Sequence, residues 1–194
     1  MDDSSASLFT CRTAAIAITC TIVFGAFLYL EGRPAWCESG FGIWSAAWTS
    51  CTSQQLFDPY TLSHVLHGVI LYWLLAPLSS KLPLSQRLIV AMAIEIGWEL
   101  LENSAWVIER YRQDTAAFDY SGDSITNSLG DVLATVSGFA FAARFPWKMS
   151  IAIFLALEIT MLLLARDNLT LNVLMLIHPI EAIKDWQLSG IVHR

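Results

Sequence analysis

Long apolar stretches alternate with short polar ones along this chain, at a spacing typical of proteins that cross a membrane several times. Five stretches can cross a hydrocarbon core of about 30 Å at about 1.5 Å per residue: residues 13–30, 59–76, 88–108, 124–142 and 149–165. A sixth, residues 169–187, is interrupted by Pro179, so it either crosses as a kinked helix or dips in and returns. We expect it to cross. The pattern predicts an all-α integral membrane bundle of five to six transmembrane helices, as a single domain over residues 1–194.

The composition of the chain agrees with a membrane location. Hydrophobic residues make up 55% of the 194 residues, above the share of about 45 to 50% in ordinary soluble domains, and the mean hydropathy is +0.53. Only 11 Lys and Arg residues stand against 17 Asp and Glu, which excludes the basic surface of a nucleic-acid-binding protein. Membrane lipids are therefore the expected partners, and the oligomeric state stays open.

Basic residues and cysteines indicate an orientation in the membrane. Lys and Arg accumulate in cytoplasmic loops, and a cytoplasmic N-terminus places seven of them inside and four outside, with the C-terminus also cytoplasmic. The loop over residues 31–57 then lies outside, where a disulfide between Cys37 and Cys51 is plausible and two unpaired thiols are the alternative.

Ionisable and polar side chains interrupt three of the predicted spans, each time on a single helical face. They are His64 and His67 in the second span, Glu95, Glu99 and Glu102 in the third, and Asp123, Asn127 and Asp131 at and within the fourth. A charge at membrane depth costs several kcal/mol unless it is paired or faces a water-filled space. These residues therefore predict contacts between helices and a polar cavity.

Counting about 1.5 Å per residue from the predicted boundaries sorts these side chains into two tiers in the outer half of the membrane. The deep tier contains His67, Glu99 and Asp131, and the tier nearer the surface contains His64, Glu102 and Asn127. Glu95 lies deeper than either tier, and we expect it only to form hydrogen bonds within the bundle. Because the inner half is almost wholly apolar, the cavity should open outward.

Two chemistries suit such a cavity. A divalent metal ion held by His67, Glu99 and Asp131 would polarise a phosphoryl or acyl oxygen and activate water. Alternatively, neighbouring carboxylates share a proton, and one acts as a general acid beside an ionised base, without metal. Either predicts a hydrolase or transferase acting on a membrane lipid or lipid-linked phosphate.

The roles we expect follow from the tiers. The candidate catalytic residues are Glu99, Glu102, Asp131 and His67. The candidate substrate-binding residues are His64, Asp123, Asn127, Arg110, Arg166 and Asn172, with the two arginines available to an anionic headgroup. Arg166 is also expected to pair with its neighbour Asp167.

Two other classes of protein remain open. Glu, His and Asp residues in membrane helices are equally typical of proton-coupled or small-solute transporters. Transporters usually contain internal repeats, and this chain has no self-similar halves. A non-catalytic assembly factor of a larger membrane complex would also suit a small acidic bundle, although it does not explain the two tiers.

Four sequence strings carry a resemblance to a known family. They are FDPYTLSHVLHG, IEIGWELLENSAWVIERYR, DYSGDSITNSLGD and RDNLTLNVLMLIHPIEAIKDWQ, spread over residues 58–187 and the residue before them. The chain resembles a family of small multi-pass bacterial inner-membrane proteins with no assigned function, and it is more loosely similar to VanZ-like membrane proteins. The resemblance implies a multi-pass protein of the cell membrane, but no substrate, cofactor or catalytic residue.

Overall fold

The structure is a computed structural model that describes residues 8, 10–117 and 119–191. This part of the chain contains eight α-helices and no strand, which confirms the predicted all-helical class. The helices are α1 (Cys11–Leu30), α2 (Thr61–Leu75), α3 (Leu84–Glu102), α4 (Ala105–Asp114), α5 (Ile125–Arg144), α6 (Trp147–Ala165), α7 (Leu169–Ile177) and α8 (Glu181–Ile191). A 3₁₀ turn over Ala76–Ser80 continues α2.

Three helical segments of the described residues are long and apolar enough to cross a membrane: Cys11–Leu30, Thr61–Ser80 and Trp147–Ala165. Their outer faces carry large apolar side chains, such as Ile22 and Leu163, which are 66% and 73% exposed. A water-soluble protein rarely leaves such extended apolar surface uncovered. The chain therefore has the character of a membrane protein.

Helices α2 and α5 pack closely at the centre of the bundle. Gly68 of α2 lies against the backbone of Thr135, and Gly138 of α5 lies against the backbone of Val65. Small residues let membrane helices approach to backbone contact. The close approach brings the polar faces of the two helices together.

The third predicted span is broken, because α3 ends at Glu102 rather than near residue 108. Asn103 follows α3, and the hydroxyl of Ser104 caps the next helix, α4, by accepting from the amide of Val107. The side chain of Asn103 accepts a hydrogen bond of 2.8 Å from the amide of Asp123. Asn and Ser side chains compete with the helical backbone for hydrogen bonds, which is the physical reason for the break.

The sixth predicted span is also broken, into the short helices α7 and α8 on either side of Pro179. Helix α7 has nine residues, about 13 Å of helix, which is too short to cross a bilayer. Arg166 donates to the carbonyl of Trp186 at 2.9 Å and to the hydroxyl of Ser189, so α8 returns to the end of α6. The segment thus folds back on itself and does not form one continuous helix. The two chain termini, predicted to be cytoplasmic, lie outside the described residues.

The predicted outer loop connects α1 to α2 and covers one end of the bundle. A disulfide joins Cys37 to Cys51 within it. The indole of Trp48 donates to the carbonyl of Ala165 at 3.0 Å, and Arg33 donates to the carbonyl of Asp123 at 2.8 Å. The loop is therefore tied to the ends of both α5 and α6.

Asp58 determines where α2 begins, two residues after the predicted start at Pro59. Its carboxylate accepts hydrogen bonds from the amides of Ser53, Tyr60 and Thr61, at 2.7, 2.7 and 3.2 Å. Burial raises the pKa of Asp58, and these three amides oppose the increase because they favour the charged form. Asp58 thus links the outer loop to the helix that carries both candidate histidines.

Candidate functional site

A cavity of about 570 Å³ lies at the end of the bundle that the outer loop covers. Residues from the loop, from α2 to α8 and from the segment between α4 and α5 line it. Seven of the predicted site residues line this cavity: His64, His67, Glu102, Asp123, Asn127, Asp131 and Asn172. Glu99 is fully buried beside them.

His64 occupies the centre of the polar cluster. Its Nδ1 atom lies 2.5 Å from Glu95 Oε1 and 3.4 Å from Glu99 Oε1. Its Nε2 atom lies 3.8 Å from Asp131 Oδ2. One imidazole from α2 is therefore surrounded by three carboxylates from α3 and α5, and the proposed separation of His64 from the deep tier does not hold.

Glu95 belongs to the site, contrary to the expectation that it would only form bonds within the bundle. Its Oε2 atom lies 3.1 Å from His67 Nδ1, so the one carboxylate contacts both histidines. The depth of residues on the third span was counted from its predicted inner end at Leu88. The helix begins four residues earlier, at Leu84, so Glu95 lies about 6 Å further from that end than expected.

Two groups of side chains among the described residues could hold a metal ion, each with its ligand atoms within 4.8 Å of one another. One is His64, His67 and Glu95, and the other is His64, Glu99 and Glu102. The predicted set of His67, Glu99 and Asp131 is not brought together as such a group. Two imidazoles with one carboxylate form a ligand set of catalytic zinc sites, with a coordination position left for water or substrate.

Several carboxylate oxygens at the site have no hydrogen-bond partner among the described residues. Both oxygens of Glu99 and the Oδ1 atom of Asp131 are in this state, although both residues are buried. A buried polar atom without a partner is costly, so it indicates a bound ion, a water molecule or a functional role. These carboxylate oxygens are therefore suited to binding a cation.

The part of the cavity near α4 and α7 is built around hydroxyl and amide groups. The hydroxyl of Tyr111 lies 3.0 Å from Glu102 Oε1 and 3.0 Å from Asn172 Oδ1. Asn127 donates to the carbonyl of Gln55 at 2.9 Å, which holds α5 against the outer loop. Asn127 thus has a structural contact as well as a place in the cavity wall.

Two aspartates outside the long helices have raised pKa values. Burial raises the pKa of Asp123 to about 6, although the hydroxyl of Tyr120 donates to its carboxylate at 3.0 Å and lowers it. Burial also raises the pKa of Asp167 to about 7, against hydrogen bonds from the amide of Asn168 and from the side chains of Asn172 and Gln187. Both carboxyls therefore titrate close to neutral pH.

Arg110 and Arg166, predicted to receive an anionic headgroup, do not line the cavity. Arg110 forms an ion pair with Asp114 at 2.9 Å and donates to the carbonyl of Leu176. Arg166 stacks on Trp186, 5.5 Å from its ring centre, instead of pairing with Asp167. Neither guanidinium is placed to hold a ligand in the cavity.

Sequence reasoning missed several residues that line the cavity. They are the aromatic residues Trp48, Tyr60, Trp98, Tyr111 and Tyr120, and the polar residues Glu95, Asp119, Asp167 and Gln187. The spacing of Glu95 four residues before Glu99 was a usable signal. Asp167 and Gln187 had none, because only the return of α8 to the end of α6 brings them together.

Comparisons with known proteins identify the family. Residues 28–189 match the family model described as "Protein of unknown function (DUF2585)". The chain belongs to this family. It is 48% identical over 179 residues to a UPF0314 protein of Brucella anthropi, an alignment that covers 92% of this chain and 91% of the relative. A UPF0314 protein of Sphingopyxis alaskensis is 44% identical over 177 residues, covering 90% and 94% of the two chains.

A third relative is likewise similar along almost the whole chain. The UPF0314 protein of Paracoccus denitrificans is 43% identical over 187 residues, covering 93% of this chain and 95% of the relative. No solved structure matches significantly. The resemblance seen in the four sequence strings is thereby confirmed as membership of a family with no assigned function.

Proposed function

We propose that this protein crosses the bacterial inner membrane five times, with a cytoplasmic N-terminus and the cavity open to the outer face. Helices α3 and α5, of 19 and 20 residues, are long enough to accompany the three apolar segments. The disulfide between Cys37 and Cys51 supports an oxidising compartment at the cavity end.

The return of α8 changes the argument from basic residues. Lys184 donates to the carbonyl of Gln113, which places it at the cavity end with Arg33, Arg110, Arg112 and Arg166. The described basic residues then divide into those five and the five at the opposite end: Arg12, Lys81, Arg87, Arg144 and Lys148. An equal count no longer favours either orientation, so the disulfide carries this part of the proposal.

Within that topology, the cavity is a catalytic site that holds a divalent metal ion through His64, His67 and Glu95. The observation that carries this proposal is the convergence of two imidazoles on one carboxylate at the wall of a cavity of about 570 Å³. The substrate is a membrane lipid or a lipid-linked phosphate, because the cavity lies in a helix bundle with apolar outer faces.

Each residue has a defined part in this chemistry. Glu95 contacts Nδ1 of both imidazoles, which brings the three ligand side chains together. His64, His67 and Glu95 would hold the divalent ion, which would supply polarisation of a phosphoryl or acyl oxygen and activation of water. Asp131, 3.8 Å from His64 Nε2, stabilises a proton held at that nitrogen, so His64 and Asp131 also suit general acid–base chemistry.

Metal analysis of detergent-purified protein tests the ligand set. After loading with zinc or manganese and removal of excess ion, we expect about one ion per chain in the parent and in His178→Ala, whose histidine is exposed and outside the cavity. His67→Ala and Glu95→Gln should lose it. Equal retention in all four proteins, or no retention in the parent, would overturn the metal site.

Lipid analysis tests the reaction. In cells that lack the gene, one lipid species should accumulate or disappear, and the parent and His178→Ala should restore the normal profile while His67→Ala does not. An unchanged lipid profile, together with a proton or solute flux in vesicles that Glu95→Gln abolishes, would replace the enzyme by a carrier.

A further inference from the structure

We propose that the outer half of the cavity binds a primary ammonium group of the substrate, such as the amino end of an aminoalkyl lipid headgroup. This inference rests on the proposed function only in taking the cavity as a binding site. It names the chemical class of the group that the cavity receives, and it departs from the anionic headgroup that the sequence suggested.

The unpartnered atoms of the cavity wall indicate a ligand that donates hydrogen bonds. Among the described residues that line the cavity, the buried side-chain atoms without a partner are Asp131 Oδ1 and Gln187 Oε1. Both are acceptors. Gln187 is only 2% exposed. Its side-chain amide nitrogen donates a hydrogen bond to the carboxylate of Asp167, so only the oxygen Oε1 is without a partner. A donor on the ligand would satisfy Gln187 Oε1 without displacing any bond.

The charges of the wall favour a positive group. Six carboxylates line the cavity, from Glu95, Glu102, Asp119, Asp123, Asp131 and Asp167, and no Lys or Arg does so within the described part of the chain. A metal ion at the histidines would balance the inner carboxylates. The outer ones, Asp119, Asp123 and Asp167, remain for a cation on the ligand.

Aromatic rings surround the same outer space. Trp48, Tyr60, Tyr111 and Tyr120 line it together with the outer carboxylates. Ring faces attract cations within about 6 Å, and they exclude water from a charge-assisted hydrogen bond. The combination of carboxylates, rings and an unpartnered acceptor suits an ammonium group better than a neutral alcohol.

The unpartnered acceptor also selects among ammonium groups. A primary ammonium carries three N–H donors, whereas a fully methylated ammonium has none. Gln187 Oε1 would stay without a partner beside a quaternary group, at the usual penalty for a buried acceptor. A primary ammonium should therefore bind more tightly than a quaternary one.

Native mass spectrometry of the detergent-purified full chain, titrated with lipids of identical acyl chains, measures this preference. We expect phosphatidylethanolamine to bind about tenfold more tightly than phosphatidylglycerol, the difference that one charge-assisted hydrogen bond supplies, and more tightly than phosphatidylcholine. Ethylammonium chloride as a competitor distinguishes the sources. If it binds at the site and phosphatidylethanolamine does not, the natural ligand is a free amine.

Matched variants locate the site. Asp167→Asn and Gln187→Leu should bring the ratio of the affinities for phosphatidylethanolamine and phosphatidylglycerol towards one. Asp185→Asn, which changes an exposed aspartate of α8, should leave this ratio unchanged. Equal or tighter binding of phosphatidylglycerol together with no binding of ethylammonium, or a preference that Asp167→Asn leaves intact, would overturn the proposal.

The same samples separate this proposal from the catalytic one. Metal content measured beside lipid binding should be the same in Asp167→Asn as in the parent, because Asp167 is not in either candidate metal group. A protein that prefers phosphatidylethanolamine but retains no metal would refute the metal-dependent enzyme and keep the ammonium site. A protein that retains metal but does not prefer phosphatidylethanolamine would refute the ammonium site and keep the metal-dependent enzyme.

Discussion

Asp167 shows how burial changes the behaviour of a single side chain. Its ordinary pKa of 3.8 is raised to about 7, because burial removes water from the charged form. Around it lie Glu158 of α6, which raises the pKa further, and Asn172 and Gln187, which donate to the carboxylate. Between pH 3.8 and about pH 7, the folded protein therefore holds a proton on Asp167 that the unfolded chain has released.

This proton makes stability depend on pH. The folded state binds more protons than the unfolded state between about pH 4 and pH 7, so the contribution of Asp167 is complete below about pH 4 and is lost as the pH rises through 7. We expect the melting temperature in detergent to fall between pH 5 and pH 8, and to fall less in Asp167→Asn. Asp123, with a pKa of about 6, accounts for part of the decrease in melting temperature that remains in Asp167→Asn.

The exposed Asp185→Asn is the control, and its curve should follow that of the parent. Identical pH profiles for Asp167→Asn and the parent would contradict the assignment. A bound ammonium group favours the ionised form of Asp167, so the preference for phosphatidylethanolamine should also grow as the pH rises from 6 to 8.

At this scale, residue spacing was a good guide to which side chains meet, and a poor guide to how they pair. Seven of the predicted residues line the cavity and Glu99 lies beside it. The pairing differed because Glu95, not Glu99, contacts both histidines. Side-chain pairing depends on the relative height and rotation of neighbouring helices, and spacing along one helix contains neither.

Among the helices, the contact between α2 and α5 controls the site, because it sets the distance from His64 to Asp131. A Cβ atom at Gly138 would clash with the backbone oxygen of Val65, and this atom cannot move without moving α2. The carbonyl of His64, next to Val65 in the chain, also accepts from the hydroxyl of Thr135 at 2.9 Å.

Gly138→Ala should therefore destabilise the protein by about 1 to 3 kcal/mol, the usual cost of overpacking, and should weaken metal retention with it. Gly97→Ala in α3 is the matched control, since a Cβ atom there meets nothing within 4 Å. It should be neutral or stabilise by about 0.5 to 1 kcal/mol, because alanine favours helix. Thermal unfolding in detergent checks both. A Gly138→Ala protein as stable as Gly97→Ala would refute the backbone contact.

The helix boundaries were less predictable than the helices themselves. Hydrophobic length located every long helix, but it carried the third one through Asn103 and Ser104 to residue 108. Ser104 is an ordinary N-cap residue, so a local signal for the break existed. In an apolar sequence that signal was outweighed by the length of the apolar run.

For the whole molecule, the proposed number of membrane crossings depends on the return of α8 to the end of α6. Asp185 should lie at the outer face if the chain crosses five times, and at the cytoplasmic face if it crosses six times. Single cysteines introduced as Ser80→Cys and Asp185→Cys, in a protein with Cys11→Ser and Cys20→Ser, test this with a maleimide that cannot cross membranes. Both positions are exposed.

We expect Asp185→Cys to be labelled in intact cells and Ser80→Cys only after lysis, because Ser80 lies in the turn at the opposite end of the bundle. Cys37 and Cys51 do not react while they form a disulfide. Labelling of neither position in intact cells would favour the six-helix topology, and labelling of Ser80→Cys alone would favour the inverted one.

The amino-acid sequence by itself determined that this protein is an all-helical, membrane-type chain with a polar centre on its second, third and fourth long helices. Those features follow from hydrophobic length and helical periodicity, which are local. Only the tertiary structure decided that Glu95 joins His64 and His67, and that Asp167 and Gln187 meet at the cavity wall. It also removed Arg110 and Arg166 from the site. Each of these outcomes depends on where a helix stops or turns back, and that is set by contacts between residues far apart in the chain.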